Sequence, residues 1–336
     1  MTRPAPIRSK RTPSPETGTR YTFLSEPGAR ERMNTAEKIQ SESDLYPSRK
    51  GMRPAAGPRL DPVAYRPWSE GAPLDASSVE HFEKRGFLIL RNVFSRTEID
   101  AFAAEIDHLR NQPQSLRAET LVTEPLSGDV RSVFEVHRQN ALFGSLAADR
   151  RLVDPISFLL DDRLYIHQSR INYKPGFTGK EFYWHSDFET WHVEDGMPRM
   201  RAVSASILLT ENTVYNGPLM LIPGSHREFV SCVGETPENH YRQSLKKQEF
   251  GVPDHQTIKR MVAERGIEVA TGQAGDVILF DCNIMHGSNG NITPLPRSNV
   301  FFVYNAVSNR LTEPFGSRPP RPEFIAARRH IAPMPR

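Results

Sequence analysis

The chain of 336 residues has only two cysteines, Cys232 and Cys282, and no apolar run approaches the length that a membrane-spanning helix needs. Two cysteines cannot form a disulfide framework. Together with the lack of a secretory signal, they predict a protein of the reducing cytoplasm. The net charge is only +3, and residues 1–33 carry +4, which leaves −1 for the rest. This balance indicates neither a nucleic-acid nor a membrane partner.

Residues 1–45 are rich in Pro, Ser, Thr and Arg and show no apolar periodicity. We therefore predict a disordered extension followed by a single domain over residues 46–336, with regular structure from about Ser77. A transit peptide is one alternative, although the glutamates and early prolines of the segment disfavour an amphipathic helix. Another alternative is that translation begins at Met33. The sequence leaves the oligomeric state open, and a homodimer is compatible with it.

The 28 prolines and 21 glycines favour many turns and short strands over a helical bundle. A capping box at Ser95 and Glu98 predicts the start of an amphipathic helix. Strands are predicted at residues 86–90, 165–173, 201–210, 219–222, 277–280 and 299–307. Residues 234–266 are polar and predict a helical insertion or lid. The pattern as a whole predicts a mainly β fold with flanking helices, either a β-sandwich or a jelly roll.

Chemistry-bearing residues are concentrated in residues 182–198, which contain five aromatic residues, two histidines and four carboxylates. The triplet His185-Ser186-Asp187 opens this stretch. Because residues i and i+2 of a strand point to the same face, the imidazole and the carboxylate can converge on one point. They would supply two of the three ligands of a 2-His-1-carboxylate facial triad.

The His-x-acid pattern alone is weak evidence, because it occurs four times, at His81, His185, His192 and His226. His81 lies in a predicted helix, where residues i and i+2 diverge, and His226 lies in a predicted exposed turn. The triplets at His185 and His192 begin seven residues apart, which puts them on opposite faces if one strand continues through both. Only one of these two could then line a given cavity.

A third ligand candidate is His286, which follows a predicted buried strand and lies 99 residues after Asp187. A metal site in a β-barrel takes its third ligand from a distant strand that folds back onto the first. Imidazole and carboxylate also suit zinc, so a zinc hydrolase stays an alternative. A surface ion pair stays the alternative for any single triplet.

Four motifs together carry a resemblance to a known family. They are His185-x-Asp187, residues 217–219, residues 223–226, and residues 275–288 with His286-Gly287-Ser288. This set resembles the phytanoyl-CoA dioxygenase family, whose members are Fe(II)- and 2-oxoglutarate-dependent oxygenases on a double-stranded β-helix core. Residues 184–196 closely resemble the signature of the ectoine hydroxylases within that family, as do residues 46–49, 168–174 and 320–324. The resemblance extends over residues 40–330.

The resemblance implies a chemistry and a set of site residues. The implied activity is hydroxylation of ectoine, a compatible solute, to 5-hydroxyectoine, using iron(II), 2-oxoglutarate and dioxygen and releasing succinate and CO2. The implied residues are His185, Asp187 and His286 for iron, Lys174 and Arg297 for 2-oxoglutarate, and Gln168, Trp191 and Arg321 for ectoine. Phe182, Trp184 and Phe188 are expected to form the dry wall of the site.

Each implied contact has a physical reason and an alternative. The guanidinium of Arg297 can bind a carboxylate through two hydrogen bonds, but the residue could also be a surface cation. Trp191 can hold a cationic ring through its π face, or it can be core filler. Two further rivals are the same oxygenase chemistry on another small zwitterion such as proline, and a cupin-like binding module without catalysis.

Overall fold

The computed structural model describes residues 44–51, 53–123, 130–244 and 250–335. The predicted disordered extension lies almost wholly outside these residues. Within them the strands are β1 (Ala55–Pro58), β2 (Phe87–Leu90), β3 (Leu121–Thr123), β4 (Val130–Phe134), β5 (Leu164–Lys174), β6 (Phe182–His185), β7 (Ala202–Leu208), β8 (Leu219–Leu221), β9 (Glu228–Ser231), β10 (Glu268–Ala270), β11 (Val277–Asp281), β12 (His286–Ser288) and β13 (Arg297–Ala306). The α-helices are α1 (Ala76–Arg85), α2 (Arg96–Asn111), α3 (Val136–Gln139), α4 (Ala141–Ala147), α5 (Arg150–Leu160), α6 (Asp187–Thr190), α7 (Tyr241–Ser244) and α8 (His255–Arg265).

The strands form two larger antiparallel sheets and one small pair. The larger sheet has the order β2-β11-β7-β13-β5-β4-β3, the second has the order β10-β8-β12-β6, and β1 pairs with β9. Leu219 and Leu221 of the second sheet pack with Ile278 and Phe280 of the first in one apolar cluster. The two sheets therefore face each other, as the predicted jelly-roll architecture requires.

Helices cover the outer face of the larger sheet. The predicted capping box is present, because Ser95 accepts a hydrogen bond from the Glu98 amide while the Glu98 side chain accepts one from the Ser95 amide. The apolar side of α2 that follows, including Ile99, packs into the largest core cluster with Val203 and Ile207 of β7. None of the helices in the described part of the chain is long and apolar enough to cross a membrane.

Strand β5 does not alternate as the sequence predicts, because its pairing with β13 shifts register. Val303 pairs with Gln168 and Tyr304 with Ile166, which leaves His167 as an extra residue. Before this bulge Ile166 faces the helix-covered core, whereas beyond it Ile171 occupies that side. The bulge thereby turns the segment from Gln168 onward so that its even-numbered residues face the space between the sheets.

Ordered structure begins before Ser77, contrary to the prediction. The Tyr46 ring is 1% exposed and packs in a cluster with Phe188 and Phe229. Its hydroxyl donates to Asp61 Oδ2 at 2.8 Å. The segment is polar and turn-rich by sequence, so its apolar periodicity gave no signal. The buried ring of Tyr46 and the pairing of β1 with β9 hold it to the domain.

Candidate active site

Three potential metal ligands meet at the edge of the smaller sheet. His185 ends β6 and His286 begins β12, and the two residues lie opposite each other in the antiparallel pair. His185 Nε2 lies 3.6 Å from Asp187 Oδ1, and His286 Nε2 lies 3.9 Å from Asp187 Oδ2. Their ligand atoms all lie within 4.8 Å of one another, and the described residues contain no other such group of His, Cys, Asp or Glu.

The route by which Asp187 reaches this point differs from the prediction. Strand β6 ends at His185, and Asp187 is the first residue of α6, so the two do not share one strand face. A sharp strand-to-helix turn brings the carboxylate back toward the imidazole. Because the strand ends at His185, the prediction that His185 and His192 lie on opposite faces of one strand does not apply. His192 lies in a π-helical turn (Trp191–Asp195), and its Nε2 lies 2.9 Å from Asp44 Oδ1.

Backbone carbonyls orient both imidazoles. His185 Nδ1 lies 2.7 Å from the Tyr183 carbonyl oxygen, and His286 Nδ1 lies 3.0 Å from that of Ile284. An Nδ1–H that donates to a carbonyl leaves the Nε2 lone pair available to a metal. The three donors are thus two imidazole nitrogens and one carboxylate, the set that suits iron(II) with open coordination positions.

The protonation states suit metal binding as well. Burial raises the pKa of Asp187, but His286, the hydrogen bond from His185 and the Arg170 charge outweigh it and lower that pKa to about 2. Burial and the neighbouring His185 lower the pKa of His286 to about 4. At neutral pH the site therefore presents a carboxylate and neutral imidazole, the forms that bind metals.

A cavity between the sheets adjoins these ligands. Its other lining residues are Gln168, Arg170, Asn172, Phe182, Thr190, Trp191, Glu194, Leu219, His240, Phe250, Phe280, Gly287, Ser288, Arg297, Phe301 and Arg321. All the residues expected to bind iron, 2-oxoglutarate or ectoine line it, apart from Lys174. The Lys174 ammonium lies just behind the wall, where it donates to Ser288 Oγ at 2.9 Å and to the Asn289 carbonyl at 2.6 Å.

Buried positive charge dominates one end of the cavity. Arg297 is buried and Arg170 is partly buried, and the Nε atom of each is buried with no hydrogen-bond partner among the described residues. Burial and the nearby Arg170 lower the pKa of Arg297 to about 10. Burial, Arg297 and Arg131 lower the pKa of Lys174 to about 6. Such a group of cations is the environment that an anionic ligand would stabilise.

Arg170 was not among the residues that the sequence implied, although it lies on β5 two residues after Gln168. The guanidinium of Arg170 lies over the Phe301 ring, with 5.1 Å from Cζ to the centroid. Residues i and i+2 of a strand point to the same face. The expected position of Gln168 in the site was therefore the sequence signal that could have indicated Arg170.

The opposite wall is formed by the π-helical turn and the C-terminal segment. The guanidinium of Arg321 donates to Asp195 through Nε at 2.7 Å and through Nη2 at 2.5 Å. His167 Nε2 lies 3.5 Å from Asp195 Oδ2, and the His167 ring stands edge to face against Trp191 at 5.1 Å. Gln168 Nε2 donates to the Ile325 carbonyl at 2.9 Å. Asp195 therefore fixes Arg321 at the cavity, with its Nη1 not hydrogen-bonded within the described chain.

A buried ion network supports the same wall from behind. Arg49 donates to Glu189 through Nε at 3.0 Å and through Nη2 at 2.7 Å, and its Nη1 donates to Glu194 at 2.6 Å. Nη1 also donates to Thr236 Oγ1 at 2.7 Å. The network ties the segment around Arg49 to the turn that carries Trp191 and Glu194. Residues 46–49, one of the motifs that carry the family resemblance, therefore support the site from behind the cavity wall.

Two expectations about the surroundings of the site are wrong. Of the three aromatic residues expected to wall the cavity, only Phe182 lines it, whereas Phe188 packs in the cluster around Tyr46 and Trp184 packs beside Met285. His226 is completely buried and not in an exposed turn. Its Nε2 lies 3.0 Å from the Glu83 carbonyl, and its ring fills the space beside Gly86, which has no side chain.

Comparison of the sequence with protein families assigns the chain to an enzyme family. Residues 82–299 match the family described as Phytanoyl-CoA dioxygenase (PhyH). The chain belongs to this family, which confirms the predicted fold class. Among individual proteins, several similar sequences carry the name ectoine dioxygenase.

The ectoine dioxygenase of Sphingopyxis alaskensis is 58% identical over 285 residues, which are 85% of this chain and 93% of that protein. That of Stutzerimonas stutzeri is 55% identical over 293 residues, 87% of this chain and 97% of that protein. The crystal structure of EctD from S. alaskensis with 2-oxoglutarate and 5-hydroxyectoine superposes with a TM-score of 0.80 at 52% identity, covering 87% of this chain and 97% of that one. A structure of the same protein with bound Fe gives 0.79.

Proposed function

We propose that this protein is an Fe(II)- and 2-oxoglutarate-dependent dioxygenase that hydroxylates ectoine to 5-hydroxyectoine. The observation that carries the proposal is a two-histidine, one-carboxylate cluster beside two buried guanidinium groups. The similar EctD structures contain Fe, and 2-oxoglutarate with 5-hydroxyectoine. When bound, iron, 2-oxoglutarate and dioxygen would supply the oxidising chemistry and yield succinate and CO2 as co-products.

His185, Asp187 and His286 are the proposed iron ligands. Their Nε2 atoms and the carboxylate face one another, and the Nδ1 contacts to backbone carbonyls hold both rings in place. These three side chains would hold iron(II) and leave coordination positions open to small molecules. Two of those positions suit the keto-acid end of 2-oxoglutarate.

The distal carboxylate of 2-oxoglutarate is assigned to the cationic end of the cavity. Arg297 begins β13 directly opposite Lys174 at the end of β5. Its guanidinium can bind a carboxylate through two parallel hydrogen bonds. Lys174, whose Nζ donates to Ser288 in the cavity wall, can add a positive charge nearby. Arg170, between these residues and Asp187, is positioned to balance the remaining negative charge.

Ectoine, a cyclic amidine that carries a carboxylate, is assigned to the wall formed by Gln168, Trp191 and Arg321. The Trp191 ring can hold the delocalised amidinium by a cation–π contact. Nη1 of Arg321 is available to the substrate carboxylate, because Asp195 occupies the other two nitrogens. The aromatic rings of Phe182, Phe280 and Phe301 around the cavity would exclude water from the reacting carbon.

The proposal extends to the setting of the enzyme. The catalytic domain is assigned to residues 46–336. The cytoplasm is the proposed location, since both cysteines are buried and free. A homodimer stays a prediction, which light scattering on the purified protein would test.

The test is product analysis with purified protein, Fe(II), 2-oxoglutarate, ectoine and air. We expect 5-hydroxyectoine and succinate in equal amounts. Asp187→Ala should abolish both, because it removes one metal ligand. The matched control is His81→Ala, which disrupts another His-x-acid triplet on α1, outside the cavity, and should retain full turnover.

The same assay separates the rivals. Turnover of proline in preference to ectoine would identify a different zwitterion as the substrate. Absence of 2-oxoglutarate decarboxylation under all conditions would indicate a binding module. Activity that is supported by zinc and unaffected by removal of iron would indicate a hydrolase.

A further inference from the structure

Glu194 places a carboxylate in the substrate wall that the assignment above does not use. The residue is 4% exposed and lines the cavity next to Trp191. Its Oε1 accepts from Arg49, whereas its Oε2 lies 4.0 Å from Arg321 Nε. This second oxygen accepts no hydrogen bond within the described part of the chain, so it can accept one from a ligand.

The buried ion pairs around Glu194 carry an excess of negative charge. Arg49 and Arg321 are the two cations of the cluster, and Glu189, Glu194 and Asp195 are its three carboxylates. The carboxylates of the cluster therefore outnumber its guanidinium groups by one. Arg328 approaches too, but it donates to the backbone carbonyls of Asp195 and Thr312. A buried charge without a partner is costly, so this wall favours a cation in the cavity.

We propose that Glu194 pairs with the amidinium of the substrate, and that it makes the positive charge of the ring the feature for which this site selects. The inference rests on the proposed function and deepens it. Glu194 is then a specificity-determining residue, and the substrate class is a small ring that combines a delocalised cation with a carboxylate.

The neighbouring groups fit the same ligand. Gln168 Nε2 is held by the Ile325 carbonyl, which leaves its Oε1 as a hydrogen-bond acceptor at the cavity. An amidinium has two N–H groups, and the wall offers two acceptors for them, one on Gln168 and one on Glu194. The Trp191 ring also lines the cavity and presents a π surface.

The first arm of the test is Glu194→Gln, which removes the charge and keeps an oxygen to accept from Arg49. We expect the KM for ectoine to rise by at least about tenfold, as for loss of a charge-assisted hydrogen bond. The KM for 2-oxoglutarate should stay unchanged. The control is Thr236→Val, which removes a hydrogen bond to Arg49 behind the wall and keeps every charge of the cluster. It should lower the melting temperature and leave the KM for ectoine unchanged.

The second arm uses the unaltered protein with a cyclic urea, 2-oxohexahydropyrimidine-4-carboxylate, which keeps both ring N–H groups and the carboxylate without the positive charge. We expect the wild-type protein to prefer ectoine over this urea in kcat/KM by at least about tenfold, and Glu194→Gln to lose most of that preference. This arm remains decisive if the variant does not fold, since equal use of both compounds by the wild-type protein would overturn the proposal.

The outcomes separate the two levels of the argument. If the wild-type protein produces no 5-hydroxyectoine, the proposed function fails. If it does, but Glu194→Gln keeps the wild-type KM and the wild-type preference, only the role of Glu194 fails. A rise in KM of equal size in Thr236→Val would also overturn it, because that would assign the effect to the network and not to the cavity charge.

Discussion

Removal of Arg49 should destabilise the protein strongly, although the residue lies in a segment with little regular structure. Its guanidinium makes hydrogen bonds to two buried carboxylates and two hydroxyls. The side chains of Arg49 and Glu189 are 2% and 1% exposed. Arg49→Met keeps the apolar stem but removes the guanidinium that pairs with the buried carboxylates of Glu189 and Glu194.

The expected cost is about 3–5 kcal/mol of unfolding free energy, the range measured when one member of a buried ion pair is deleted. For a domain of this size that corresponds to a fall in Tm of roughly 6–10 °C. Urea unfolding followed by circular dichroism measures it. The control is Arg260→Met on α8, whose pair with Glu228 is 41% exposed and should be worth less than about 1 kcal/mol. Equal effects of the two substitutions would refute the reasoning.

Three further predictions concern Arg297, Lys174 and Gly275. Arg297→Lys should raise the KM for 2-oxoglutarate about tenfold, with a smaller change for ectoine, because an ammonium cannot form the paired hydrogen bonds of a guanidinium; steady-state kinetics measures both. The pKa of Lys174 is lowered to about 6, so this lysine is mostly neutral at pH 7.5 without ligand. A bound dianion should protonate it, and calorimetry in buffers of different ionisation enthalpy should detect proton uptake that Lys174→Met abolishes and that shrinks below pH 6. Gly275→Ala should cost at least about 1 kcal/mol in urea unfolding, because the glycine has φ of +100° and an added Cβ would lie 2.3 Å from the Phe94 carbonyl oxygen.

The regular elements were predictable because periodicity is a local property. Residues 201–210 alternate, and the structure forms β7 (Ala202–Leu208) with Val203 and Ile207 in the core. The capping box at Ser95 was likewise readable from four adjacent residues. The fold class followed from many such segments separated by glycine and proline.

The details of the site were less accessible, because they depend on breaks in regularity. The turn after His185 and the bulge at His167 each change the direction of side chains, and neither has a sequence signature of its own. The network around Arg49 joins residues 140 and 145 positions apart, so no local pattern contains it. The resemblance to a family implied which residues form the site, whereas the structure shows which side chains and backbone atoms hold those residues in place.

The attachment of the C-terminal segment has a consequence for how the molecule opens. This segment reaches the site through the Arg321 guanidinium, the Ile325 carbonyl and the Ala327 amide, which donates to the His167 carbonyl at 2.9 Å, and not through a strand ladder. Few backbone bonds must break to release it, so hydrogen exchange there should be faster than in β13. Mild denaturant should therefore open the cavity wall at Arg321, while strands β6 and β12, which bear His185 and His286, stay paired.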